Sequence, residues 1–424
     1  MRIPAFRTAI LAYVVIGLPP PAVAQVDQQR AQAYFKEAQA LCERDGGRLW
    51  GVSICAPMVI ADMRTQTFAT SQPAPEGARP RVLGLVNAPV QWGGATWSAY
   101  MWDDVANRTP RERKELFLHE LFHGVQPQLG LGAPARATEH LDAVDGRYWL
   151  RLEWRALARA LRESGQPRNL AVRDALAFRQ ARHKLYPASV EDERAQEITE
   201  GLAAYTGTVL AAPSAADAIV GALDLLDGAE TAAPEASFVR TFSYVSGPAY
   251  GLLLDASSPG WTRRVRGTDD LATLLMRALA VQPATDATAS ATRYRGAEIR
   301  ASEQQREQER QERLGELRRR FVDGPVLLLP GGGSGMSNSI GAVVLPGIGT
   351  VYFGPYRASG DWGTLEAEKG MLVASDGGSR RVSAPVRRDD VTFTGDGWTF
   401  EAAPGWVVRD GARRGDYEVV RPQP

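Results

Sequence analysis

His119-Glu120-Leu121-Phe122-His123 puts two imidazoles and a carboxylate within five residues. An α-helix turns once per 3.6 residues, so positions 119 and 123 share a face, one turn apart. Two imidazole nitrogens so placed can hold one Zn²⁺, and Glu120 then projects beside an open coordination position. A carboxylate there can take a proton from water. The chain has four histidines, and two of them fall in this arrangement.

A catalytic zinc centre takes three protein ligands and keeps one position open. A third histidine six residues past His123 would complete one known arrangement, but that position is Leu129. Four other residues have ligand chemistry: Glu197 and Glu200 in Glu197-Ile198-Thr199-Glu200-Gly201-Leu202-Ala203, and the remaining histidines, His140 and His183.

These residues need elements to hold them. Thr109-Pro110-Arg111-Glu112 reads as a capping box with proline at the first helical position. Pro127 is expected to end the helix that starts there. Between them Leu116, Phe117, Leu118, Leu121, Phe122 and Val125 are apolar nearly all round, which predicts a buried helix. Buried histidines and a buried glutamate need partners, because an unpaired buried charge is costly. A metal supplies them.

Before that helix, residues 26–45 read as a helix stopped by Gly46-Gly47. Residues 49–61 and 65–70 read as a hairpin, and residues 81–86 and 96–102 as two further strands. After it, helices are expected over residues 145–164, 170–185, 191–210, 215–226, 244–254 and 269–280. The Ala/Thr-rich stretch 283–290 reads as a linker, and residues 296–321 as a long charged helix. From Pro325 to Pro424 short β-prone runs alternate with Gly, Asp and Pro turns, the pattern of a small all-β domain.

Met1–Ala24 has the form of a secretory signal peptide: Arg2 and Arg7, then the apolar run from Ala9 to Leu18, then Ala22-Val23-Ala24 as a cleavage site. The apolar run is short for a bilayer span, and no later stretch is apolar enough for one. The expected location is therefore secreted or periplasmic, without stable membrane insertion. Lys plus Arg and Asp plus Glu each number 49, and no basic patch points to nucleic acid. Cys42 and Cys55 are the only cysteines. In an oxidising compartment they can pair, and a bridge over so short a loop contributes about 3 kcal/mol in the chain-entropy model.

His119-Glu120-x-x-His123 followed by Glu200-Gly201-Leu202-Ala203 resembles the gluzincin metallopeptidases, across roughly residues 95 to 255. The second run is similar to that of the zinc aminopeptidase branch, whose glutamate is the third zinc ligand. The resemblance therefore maps that role to Glu200, with Glu197 as the alternative. The same branch has a catalytic tyrosine in a Tyr-x-x-Gly run, matched by Tyr244-Val245-Ser246-Gly247, with Tyr205 as a rival. The glutamate with which that branch grips a free amino end has no counterpart in Ala99-Tyr100-Met101-Trp102-Asp103. The aspartate that the thermolysin-like branch carries four residues past its ligand is replaced by Ala204.

The expected fold is α+β: residues 25–282 form a small N-terminal sheet and a largely helical zincin-like domain, 283–324 a linker and charged helix, and 325–424 an all-β domain. The expected activity is hydrolysis of a peptide or protein, with Zn²⁺ held by His119, His123 and Glu200. Glu120 is the expected base and Tyr244 the expected oxyanion donor. The strand near Thr96–Trp102 is expected to pair with an extended substrate. The competing expectation is a non-catalytic envelope scaffold with a structural or vestigial zinc site, its all-β domain holding an envelope ligand.

Overall fold

Local signals in the sequence set most of the element boundaries. The computed structural model describes residues 25–422 except 64, 78, 81, 133–137, 234–235, 337–341, 377 and 390. The expected signal peptide lies outside these residues. Among the described residues, no helix is long and apolar enough to cross a membrane. The protein is α+β and divides into two compact units, residues 1–300 and 301–424.

In the first unit, α1 (Gln28–Asp45) is followed by β1 (Met58–Asp62) and β2 (Thr67–Thr70), which form the expected hairpin. Residues 82–85 form turns rather than a strand, and the strand falls further on, at β3 (Ala88–Trp92). β4 (Ala95–Met101) pairs antiparallel with β3 and parallel with β1, so the sheet order is β2-β1-β4-β3. Cys42 and Cys55 form a disulfide with Cα atoms 5.4 Å apart, tying the end of α1 to the segment entering β1.

A short α2 (Trp102–Asn107) precedes α3 (Pro110–Leu129), which carries the two histidines. Its capping box forms as expected: Glu112 N–H donates to Thr109 Oγ1, and Thr109 N–H donates to Glu112 Oε2. Such a cap contributes about 1 kcal/mol. Pro127 does not end α3. The helix runs two residues further, to Leu129, and is followed by Gly130, whose φ of 68° suits glycine. There the N–H groups of Gly130 and Leu131 reach back to Pro127 O and Gln126 O, the closing pattern of a Schellman end.

β4 and α3 are stitched side by side. Tyr100 OH donates to Phe117 O and Ser98 Oγ donates to Glu120 O. Trp50 packs on Phe122 with ring centroids 4.5 Å apart. Leu118, Leu121 and Phe122 are fully buried. Burial of each such side chain stabilises the fold by roughly 1.5–3 kcal/mol.

Next come α4 (Val144–Arg162), α5 (Gly165–Leu185) and α6 (Val190–Gln196). The expected helix over residues 191–210 is interrupted: a π-turn at Glu197–Gly201 separates α6 from α7 (Leu202–Ala211). α8 (Ala215–Glu230), α9 (Phe242–Ser257) and α10 (Leu271–Ala278) follow. The stretch expected as a linker instead packs down. Ala284 N–H donates to Arg173 O, α11 (Ala287–Ala291) follows, and Arg293 and Tyr294 bind the buried Asp174. The charged α12 (Gly296–Arg318) contains the boundary between the two units.

The second unit holds two sheets, of seven and six strands. In the larger, Val326–Leu329 pairs antiparallel with Arg380–Ser383 and parallel with Tyr417–Val420. In the smaller, Gly363–Ala367 lies between Tyr356–Gly360 and Trp398–Ala402. Leu327, Trp362, Leu365, Val382 and Phe400 fill its core.

Candidate metal centre

Helical spacing brings His119 and His123 together, as the 3.6-residue period requires. Their Nε2 atoms lie 2.9 Å apart. One carboxylate oxygen of Glu200, Oε2, lies 3.3 Å from His119 Nε2 and 3.4 Å from His123 Nε2. Tyr244 OH donates to that same oxygen at 2.6 Å, and its ring stacks on His119 with centroids 5.2 Å apart. Glu120 is also close: ligand atoms of His119, Glu120 and His123 all lie within 4.8 Å of one another. Its Oε2 is buried without a hydrogen-bond partner. Tyr244 is 37 % exposed and Glu120 6 %, so solvent reaches the cluster on the tyrosine side.

Two close backbone approaches place Glu200 and Tyr244. A Cβ on Gly247 would meet Gly201 O at 2.3 Å, so α9 lies directly against the π-turn. A Cβ on Gly207 would meet Glu115 O at 2.6 Å, so α7 lies directly on α3. Glycine is needed at both positions because no side chain fits between the backbones.

The electrostatics follow from burial in mutual contact. Burial pushes the Glu120 carboxyl up to about 7, against the pull of His123 and with the help of Glu200. Burial also pushes Glu200 up, but the hydrogen bonds to His119 and His123 outweigh it and hold its carboxyl well below the ordinary range. His119 is lowered, by burial first. His123 is raised, because Glu200 and Glu120 overcome its burial. The Tyr244 hydroxyl is raised by burial and by Glu200, so it stays a proton donor at neutral pH.

The donor set fits a divalent metal. Two imidazole nitrogens and one carboxylate oxygen point at one another, and the neighbouring Glu120 carries an unpaired buried oxygen. His₂Glu with an open position is a catalytic zinc set, and imidazole also suits other first-row metals.

The other candidates go elsewhere. Glu197 turns to Arg179, which holds it with two N–H groups. Three residues apart in a regular helix would share a face; the π-turn separates Glu197 from Glu200. Tyr205 donates to Asp255. His140 and His183 both sit against the fully buried Glu193, at 2.6 and 3.2 Å, rather than on the surface. Glu193 also takes two hydrogen bonds from Arg182, which leaves no room in charge for a metal. The expected substrate-pairing strand is corrected as well: β4 is flanked by β1 and β3, so its backbone is already paired on both sides.

Sequence reading missed Gln126, three residues after His123 and 3 % exposed. Its side chain touches both His123 and the π-turn. The i, i+3 spacing was the available signal. No family model, no curated protein and no solved structure matches the chain.

Proposed function

We propose that this chain is an exported zinc-dependent hydrolase that cleaves peptide bonds, related in its chemistry to the gluzincin peptidases. One observation carries the reading: Glu200 Oε2 lies within 3.4 Å of both His119 Nε2 and His123 Nε2, although Glu200 is remote from them in sequence. The signal-peptide-like pattern of residues 1–24 supports a secreted or periplasmic setting.

His119, His123 and Glu200 would hold the metal. Zn²⁺ there supplies Lewis acidity and lowers the pKa of a water to about 7. Glu120 takes a proton from the attacking water and delivers it to the leaving nitrogen. Tyr244, protonated and adjacent, donates to the developing oxyanion. The substrate is a peptide or protein.

The test is Glu120→Gln, which keeps the shape and removes the base. Zinc content should be unchanged, while turnover of a mixed peptide library should fall by roughly 10²- to 10⁴-fold. Equal turnover in the two proteins would falsify the reading. It would leave the alternative, an envelope scaffold whose metal is structural.

A further inference from the structure

We infer that Gln126 is the residue that makes the metal centre ready for its ion, by fixing the tautomer of His123 and pinning the π-turn that carries Glu200. The inference rests on the zinc reading above and names a residue that supports it without touching the metal.

Gln126 lies on α3, one turn past His123, and is almost fully buried. Its Oε1 lies 2.5 Å from His123 Nδ1. Its Nε2 donates to Thr199 O at 2.7 Å and to Ile198 O at 3.3 Å. The amide's orientation follows from these contacts. An NH₂ group can donate to two carbonyls, whereas a carbonyl oxygen in its place would face two acceptors. Oε1 therefore faces the imidazole, and an oxygen can only accept. In its neutral form His123 must then carry its proton on Nδ1, which leaves a bare lone pair on Nε2 toward His119 and Glu200. The donor nitrogen for a metal is thus free before any ion arrives.

The other end of the side chain acts on Glu200. In the π-turn, Leu202 N–H reaches five residues back to Glu197 O. In a regular α-helix it would bond Ile198 O. The turn diverts that donor, and the Gln126 amide supplies one to Ile198 and Thr199 instead. These carbonyls immediately precede Glu200. A single buried side chain therefore connects a ligand on α3 with the backbone that aims the ligand from the later helix. Loss of a group supporting a metal-bound histidine costs 10- to 100-fold in metal affinity.

Two readouts test this. In full-length metal-free protein labelled with ¹⁵N-histidine, the wild type should show His123 with its proton on Nδ1. Gln126→Met should release His123 to mixed tautomers, and Gln126→Glu should retain the Nδ1 proton because a carboxylate still accepts. Zinc affinity, measured by competition with a chelator, should fall 10- to 100-fold in Gln126→Met. An Nε2-protonated His123 in the wild type overturns the inference without any variant, and so does an unchanged affinity in Gln126→Met. If the wild type binds no zinc, the metal reading fails, and the tautomer measurement still judges Gln126 separately.

Discussion

Two buried clusters of charge share the helical run from Val190 to Ala211, and they are built on opposite plans. Around α6, Glu153, Glu193 and Glu197 are paired by Arg179 and Arg182 through hydrogen bonds on both oxygens of each carboxylate. Tyr250 adds a donor to Glu153, and His140 and His183 flank Glu193. At the π-turn, Glu200 and Glu120 face only His119, His123 and Tyr244. Among the described residues no arginine or lysine forms an ion pair with either carboxylate. Each cluster has two histidines beside a glutamate. The first is closed by guanidinium groups, while the second leaves lone pairs converging on one point. Buried charge that is paired on all sides is tolerated in a core, and under the proposed function the second cluster completes its pairing with a metal ion.

The largest way to break this contrast is Arg182→Met. Removing one partner strands Glu193 and part of Glu153 in the core, and such a loss costs about 3–5 kcal/mol. Chemical denaturation of the metal-free protein should show it. A loss under about 1 kcal/mol would mean that the paired cluster does not stabilise the fold.

Zinc should act on the other cluster alone. At a free concentration a hundredfold above Kd, it should stabilise the protein by about 2.7 kcal/mol. His119→Ala should lose that gain, while Arg182→Met should keep it. A gain in His119→Ala equal to the wild type would place the ion elsewhere.

The smallest effect is in acid. Burial pushes Glu153 and Glu193 up, but Arg179 and Arg182 outweigh it for Glu153, and Arg182, His140 and His183 for Glu193; both carboxyls lie below the ordinary value. Unfolded carboxyls titrate near about pH 4.3, so the stability from these two is complete above that and is lost as pH falls below it. Glu200 is depressed as well and acts with the same sign. Comparison with Arg182→Met isolates the paired cluster, because that variant should lose less stability between about pH 4 and pH 2. An identical acid slope in the two proteins would remove Arg182 from the account.

Much of this was written locally. The capping box at Thr109, the paired histidines and the hairpin of residues 58–70 rest on contacts between near neighbours, and the short strands after Pro325 were legible from their β-prone runs and turn residues. One departure is local, and the others came where distant partners decided. Pro127 was expected to stop a helix that Gly130 and Leu131 in fact close. Residues 283–290 have a linker's composition, yet they lead into a segment whose arginine and tyrosine meet the buried Asp174. Among the β-formers expected as a strand, residues 82–85 yielded to turns, and the strand fell on residues that pair with β4.

The sequence by itself determined that two imidazoles and a carboxylate stand together on one capped, buried helix, because the helical period alone puts positions 119 and 123 on one face. The resemblance at residues 200–203 named Glu200 over Glu197, but only the tertiary structure supplies the physical reason. Glu197 and Glu200 differ little in local context, but Arg179 draws the first into the paired cluster, and the π-turn with its Gly201–Gly247 contact sends the second to the histidines. That choice depends on a guanidinium from another helix and on two backbones in contact, and neither has a signature in the residues around position 200.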